Sequence, residues 1–151
     1  MVKHPTQLLI AAALLAVGLI PATAQQSRIE RVKSFTENGI TVILSPAENK
    51  LISVIVALEG GLASGETTNP VLSDFTADLI TSSGSKQTPK EELRKFLART
   101  STSISGEGDQ RGMRFSMTAT RPNFGKAWNL LAEMITQPAF DPTAYSTTLA
   151  A

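Results

Sequence analysis

Two carboxylates, Asp74 and Asp78, stand one helical turn apart in a stretch that runs from Asn69 to Gly84. With Thr81 they fall at i, i+4 and i+7, on one face of the helix that this spacing predicts. Carboxylate oxygens so placed suit Mg²⁺, Ca²⁺ or Mn²⁺ better than Zn²⁺. Acids on the polar face of an amphipathic helix more often form its solvated side, and that is the reading taken. A conventional zinc site needs His or Cys. The chain has no Cys, and its single His, His4, lies in the first few residues. Serine chemistry lacks a G-x-S-x-G elbow and, past the first few residues, a His to activate it, and nothing in the spacing points to a Ser–Lys pair. Residues 62–68 form a small-residue loop, but no G-x-G-x-x-G or G-K-[ST] pattern is there to cradle a phosphate.

The first residues read as an address rather than as fold. Lys3 and His4 make a weakly basic start, and residues 8–20 form an apolar run too short for a spanning helix. Ala22-Thr23-Ala24 then supplies an A-x-A cleavage site. Residues 1–24 are therefore expected to be a signal peptide, and residues 25–151 the exported protein, in the periplasm or outside the cell. Removing the leader removes Lys3 and no acid, which leaves 13 basic and 13 acidic residues. A neutral chain gives no electrostatic case for nucleic acid or an anionic membrane. With no Cys there are no disulfides, so a hydrophobic core must supply the stability. The composition, 42% hydrophobic and 18% charged, suits one globular domain.

The elements that must position the two acids follow in order. Residues 32–36 and 40–44 flank Glu37-Asn38-Gly39, a strong hairpin signal. Residues 51–58 are apolar on both faces apart from Ser53, which predicts a central strand covered on both sides. Asn69 and Pro70 are placed to start the acid-bearing helix, and Gly84 to stop it. Val71, Leu72, Phe75, Leu79 and Ile80 form its predicted apolar face. A second helix is expected from Thr88 as cap, Pro89 at its first position and Glu91 closing a capping box, with Leu93, Phe96 and Leu97 inward. Its charged residues are expected to be solvated. Residues 102–106 predict a weaker strand, 107–111 a turn, and 112–120 an alternating strand with Met113, Phe115, Met117 and Ala119 on one face. A third helix after Pro122 is expected to bury Phe124, Ala127, Trp128, Leu131, Met134 and Ile135. Asp141-Pro142 looks like the cap and first residue of a fourth. Two runs of strands alternating with helices predict an α+β fold with a largely antiparallel sheet.

Asn38-Gly39-Ile40-Thr41-Val42, Val54-Ile55-Val56-Ala57-Leu58-Glu59-Gly60-Gly61, the strands over 106–120, the helix over 127–135 and Pro138-Ala139-Phe140 come in a familiar order and spacing. Over residues 30–145 they resemble the N-terminal part of a domain of the pitrilysin/insulinase family of zinc peptidases. Active members carry H-x-x-E-H on the helix that follows the glycine loop. Aligned on Leu79-Ile80, the three motif positions here hold Asp74, Ala77 and Asp78. The resemblance thus implies the family's fold without its zinc ligands or general base, no cofactor and no catalysis by the chain alone. Even a metal held by the two acids would lack a base at Ala77. The family's third ligand, a Glu on a later helix, falls at or beyond Ala151, and no binding residue carries over.

The family pairs a zinc-bearing domain with a degenerate one around a peptide. The resemblance therefore implies an H-x-x-E-H-bearing partner and a shared peptide or unfolded-protein substrate, with no nucleic acid and no membrane after leader cleavage. An exported interaction module without a peptidase partner, and an inactive piece of a longer two-domain metalloendopeptidase, stand as alternatives. The chain is expected to be truncated at its C-terminal side, with an apolar sheet face left uncovered and marginal stability or association as the result. Export is tested by mass spectrometry of the protein from its host, where the N-terminal residue is expected to be Gln25 and not Met1.

Overall fold

The computed structural model describes residues 32–60 and 71–149, which fall into two compact units divided after Glu48. The leader, the loop 62–68, and the expected helix start at Asn69 and Pro70 lie outside the described residues.

The first unit is a hairpin of β1 (Lys33–Glu37) and β2 (Ile40–Leu44), antiparallel, with Phe35 opposite Val42. Asn38 (φ 50°) and Gly39 (φ 82°) are both left-handed. That is the tight turn whose twist matches the strands, and it is why Asn-Gly marks a hairpin. Phe35, Ile40, Val42 and Leu44 share one face by this register.

The second unit contains β3 (Leu51–Glu59), α1 (Leu72–Ser83), α2 (Lys90–Thr100), β4 (Ser103–Asp109), β5 (Gly112–Thr120), α3 (Phe124–Thr136) and α4 (Pro142–Leu149). Its sheet has the order β3-β5-β4 and is antiparallel throughout, so the α+β expectation holds. The alternation of β5 decides which face is inside. Phe115, Met117 and Ala119 are buried and meet Ala77 and Ile80 of α1, Leu93 and Phe96 of α2, and Ala127, Leu130, Leu131 and Met134 of α3. Each large apolar side chain so buried stabilises the fold by about 1.5–3 kcal/mol.

Several expectations are corrected. β3 is not central: β5 occupies the middle, and β3 is an edge strand of the described sheet. Ile52, Val54 and Val56 are half-buried on the helix side, while Leu51 and Ile55 face outward, Ile55 with 66% of its surface exposed. A two-sided apolar pattern therefore does not mean two-sided cover here.

β4 is longer than expected and its turn shorter. The Asp109 carboxylate accepts the backbone N–H of Arg111 at 2.7 Å and of Gly112 at 3.2 Å. These bonds close a two-residue turn at Gln110-Arg111, so Glu107 and Gly108 stay in the ladder opposite Arg114 and Met113.

Thr88 does not cap α2. Pro89, in extended conformation, takes that place, and Glu91 pairs with Arg94. The Thr88 hydroxyl instead donates to Glu133 Oε2 on α3 at 3.0 Å, and Ser85 donates to the same oxygen at 3.1 Å. Lys86 N–H to Gln137 O and Ala139 N–H to Gly84 O extend this node, which ties the α1–α2 link to the end of α3.

Trp128 is 40% exposed, and Leu130 takes the buried place assigned to it. Val71 and Leu72 are likewise exposed, because α1 turns Ala77, Leu79, Ile80 and Ser83 inward. Gly84 does end α1, with φ 78°. Asp141 does start α4, accepting the N–H groups of Thr143 and Ala144, each at 2.9 Å.

α1 lies on β4 at backbone distance. A Cβ on Gly106 would strike the Ala77 carbonyl oxygen, and one on Gly108 would strike the Ser73–Asp74 peptide. Gly106→Ala is expected to destabilise by about 1–3 kcal/mol, the range for overpacking. Gly125→Ala, on open helix surface with no atom within 4 Å, is expected to stabilise by up to about 1 kcal/mol. Urea melts of the two variants read the opposite signs.

A second test concerns the turn. The backbone N–H of Arg111, ahead of the Arg111 charge, holds the Asp109 carboxyl below its ordinary value of 3.8. A lowered folded pKa contributes stability that is present above 3.8 and lost as pH falls through the folded value. Asp109→Asn is therefore expected to melt less steeply with acid below about pH 4 than the parent chain does.

Candidate functional site

The place where a peptidase of the resembled type would hold metal is the outer side of α1 beside β4. The helix presents Asp74 and Asp78 on this side and turns Ala77 into the core, so the three positions have three different surroundings.

Asp74 is exposed, and its Oδ1 accepts the backbone N–H of Gly108 at 2.9 Å. Asp78 is exposed too, and its Oδ2 accepts the Thr148 hydroxyl of α4 at 2.8 Å. Tyr145 of α4 meets Phe75 edge to face, with ring centroids 5.4 Å apart, so α4 touches α1 at two points. Ala77 is fully buried and belongs to the core cluster, its backbone against Gly106. Each acid is thus directed at a different neighbour, one at a strand and one at a helix. Among the described residues, no three His, Cys, Asp or Glu side chains come together at metal-binding range.

A cleft of about 660 Å³ opens at the end of the sheet beside Asp74. Glu59, Glu107, Asp109, Arg111 and Arg114 line it with Asp74. The charges are of both signs. Arg114 pairs with Glu107 at 3.2 Å, both side chains about half exposed or more. An ion pair so wet contributes little energy, and it fixes orientation more than stability.

β4 is the other chemically active feature, and sequence reasoning undervalued it. It is an edge strand of the described sheet. The two-residue turn makes Asp109 and Gly112 a hydrogen-bonded pair, so alternation turns the N–H and C=O groups of Gly108, Gly106 and Ile104 away from β5. Asp74 takes the N–H of Gly108. The outward N–H groups of Gly106 and Ile104 have no partner among the described residues. The signal that could have revealed this was Gly106-x-Gly108. Two glycines on one face of a strand mark the close approach of another backbone, here that of α1.

No protein-family profile matches the sequence, nor does any curated protein sequence. Solved structures do match. The ferredoxin protease FusC, in complex with Arabidopsis ferredoxin, superposes with a TM-score of 0.66 at 20% identity, over 86% of this chain and 14% of that one. The periplasmic protease PqqL of Escherichia coli gives 0.66 at 21% identity, over 78% of this chain and 13% of its own. An inactive M16 peptidase domain from Pseudomonas fluorescens gives 0.65 at 13% identity, over 77% of this chain and 29% of its own. The chain spans between about an eighth and a third of these proteins. The chain has the fold of part of an M16, pitrilysin-like, peptidase domain.

Proposed function

We propose that this chain is an exported, non-catalytic M16-type domain that supports peptide binding beside a zinc-bearing partner. The observation that carries this reading is the use made of the three motif positions. Asp74 caps a strand, Asp78 holds a helix, and Ala77 is sealed in the core. Among the described residues this side of α1 carries no imidazole, and position 77 carries no carboxylate. The family's cleavage chemistry needs a metal to polarise the carbonyl and a carboxylate to take the proton from water. The same side keeps what binding requires. β4 offers the outward backbone groups of Ile104 and Gly106 to an extended chain, the usual way a peptide joins a sheet edge.

The A-x-A leader supports export, and so does the likeness to a protease described as periplasmic. The likeness to a domain described as inactive supports the non-catalytic role. A second reading, an inactive piece of a longer two-domain metalloendopeptidase, is favoured by the small share of FusC and PqqL that the chain spans.

The exported chain is expected to purify without stoichiometric zinc and to leave unfolded peptides intact. Amide exchange at Ile104 and Gly106 is expected to slow when an extended peptide is added. Zinc at one equivalent, lost together with peptide cleavage in Asp74→Ala, would overturn the proposal.

A further inference from the structure

We propose that Asp74 is a register stop: it ends the stretch of β4 that an added peptide strand can pair with. This rests on the reading of β4 as the peptide-binding edge. The free edge has three outward positions, Ile104, Gly106 and Gly108, spaced two residues apart by the ladder. A peptide laid along it would exchange backbone hydrogen bonds at each. At the third position the N–H is already committed, since Asp74 Oδ1 accepts it at 2.9 Å. The same carboxylate occupies the place where the peptide's carbonyl oxygen would have to come. Two acceptors cannot share one short N–H bond, and the closer, charged one is the stronger.

The stop is held from behind. Gly108 lies against the Ser73–Asp74 peptide so tightly that a Cβ would overlap it, which fixes the root of the Asp74 side chain next to the edge. The edge N–H groups are therefore open at Ile104 and Gly106 and closed at Gly108. The carbonyl of an added strand can find an N–H donor at two positions and no more. Residues of the peptide that extend past Gly106 toward the β4–β5 turn gain no backbone N–H donor from β4. The device selects for where a peptide lies, not for its side chains. It also blunts the edge against open-ended pairing with other strands, a known hazard of exposed edges.

The test uses the exported chain and a series of end-capped Thr-Val repeat peptides, from about four to about ten residues long. Dissociation constants are measured for the parent, Asp74→Ala and Asp74→Asn. The Asn variant keeps an amide oxygen to accept the Gly108 N–H and removes the charge. In the parent, affinity is expected to stop rising once the peptide covers Ile104 and Gly106. Asp74→Ala is expected to continue to gain, by about three- to tenfold for the longer peptides, the worth of one further backbone hydrogen bond. Asp74→Asn is expected to follow the parent. Amide exchange at Gly108 gives an independent readout: protected in the parent and Asp74→Asn without peptide, and in Asp74→Ala only when a long peptide is bound. Peptides that bind all three proteins with the same length dependence would overturn the register stop and leave the binding edge intact. Asp74→Asn behaving as Asp74→Ala would overturn it as a hydrogen-bonded cap. No peptide binding by any variant would overturn the edge reading and this inference with it.

Discussion

The approach of α1 to β4 is the constraint on which the second unit is built. Helices usually lie on sheets through a layer of side chains, about 10 Å away. Here Gly106 and Gly108 remove that layer, and the Ser73, Asp74 and Ala77 backbone comes down onto the strand. The contact has consequences at both partners. On the helix it turns Ala77 into the core beside Ile80 and Phe115. On the strand it leaves room for nothing larger than hydrogen at two positions. It also carries Asp74 to the strand's open edge, where a short acid can reach a backbone N–H directly. The helix face that looks free for chemistry in sequence is thus shaped by a packing requirement one residue away.

The same contacts explain how α1 is held without a metal. A metal would add stability only to the state that binds it. In this chain the groups on α1 that face away from the core bond to protein instead. Asp74 ties the helix to β4, and Asp78 ties it to α4, each by a charge-assisted hydrogen bond shorter than 3 Å. Ala77 contributes packing. The three positions hold the helix in place through ordinary contacts, and the core built on Phe115, Met117, Leu131 and Met134 supplies the rest.

Much of this was legible in the sequence, for identifiable reasons. Asn38-Gly39 specified its turn because both residues tolerate the left-handed backbone that the turn demands. The period-two pattern of β5 showed its buried face, since every second residue from Arg114 to Thr120 is polar. Asp141 announced α4 because a short acid beside Pro is suited to cap and start a helix. The failures share a different origin. Residues 51–58 carry apolar groups on both sides, and a strand's own pattern does not state its place in the sheet order. Thr88 has the right type and spacing for a cap, yet Glu133, 45 residues later, offers its hydroxyl a charged acceptor. Trp128 sits one residue from Ala127, on the flank of the buried stripe, and the helical period alone does not separate flank from centre. In each case a contact distant in sequence outweighed a local preference, which is how tertiary structure overrides propensity. The candidate site was half legible. The sequence showed two acids and an alanine at 74, 77 and 78, but what those residues touch depends on β4 and α4.

The glycines of β4 connect these two halves. In sequence they weaken a strand: glycine has no side chain to pack and loses more backbone freedom on ordering. In the fold their cost is offset by the helix that settles into the space they leave. The same absence of side chains keeps Gly106 uncluttered along the outward edge. A larger residue at 106 would push α1 away, move Asp74 off Gly108, and reopen the third edge position as it disturbed the core. Packing and edge protection are therefore one device. The residue types at 106 and 108 decide whether the helix can lie low enough for the acid at 74 to act, and the acid then decides how much of the strand stays open.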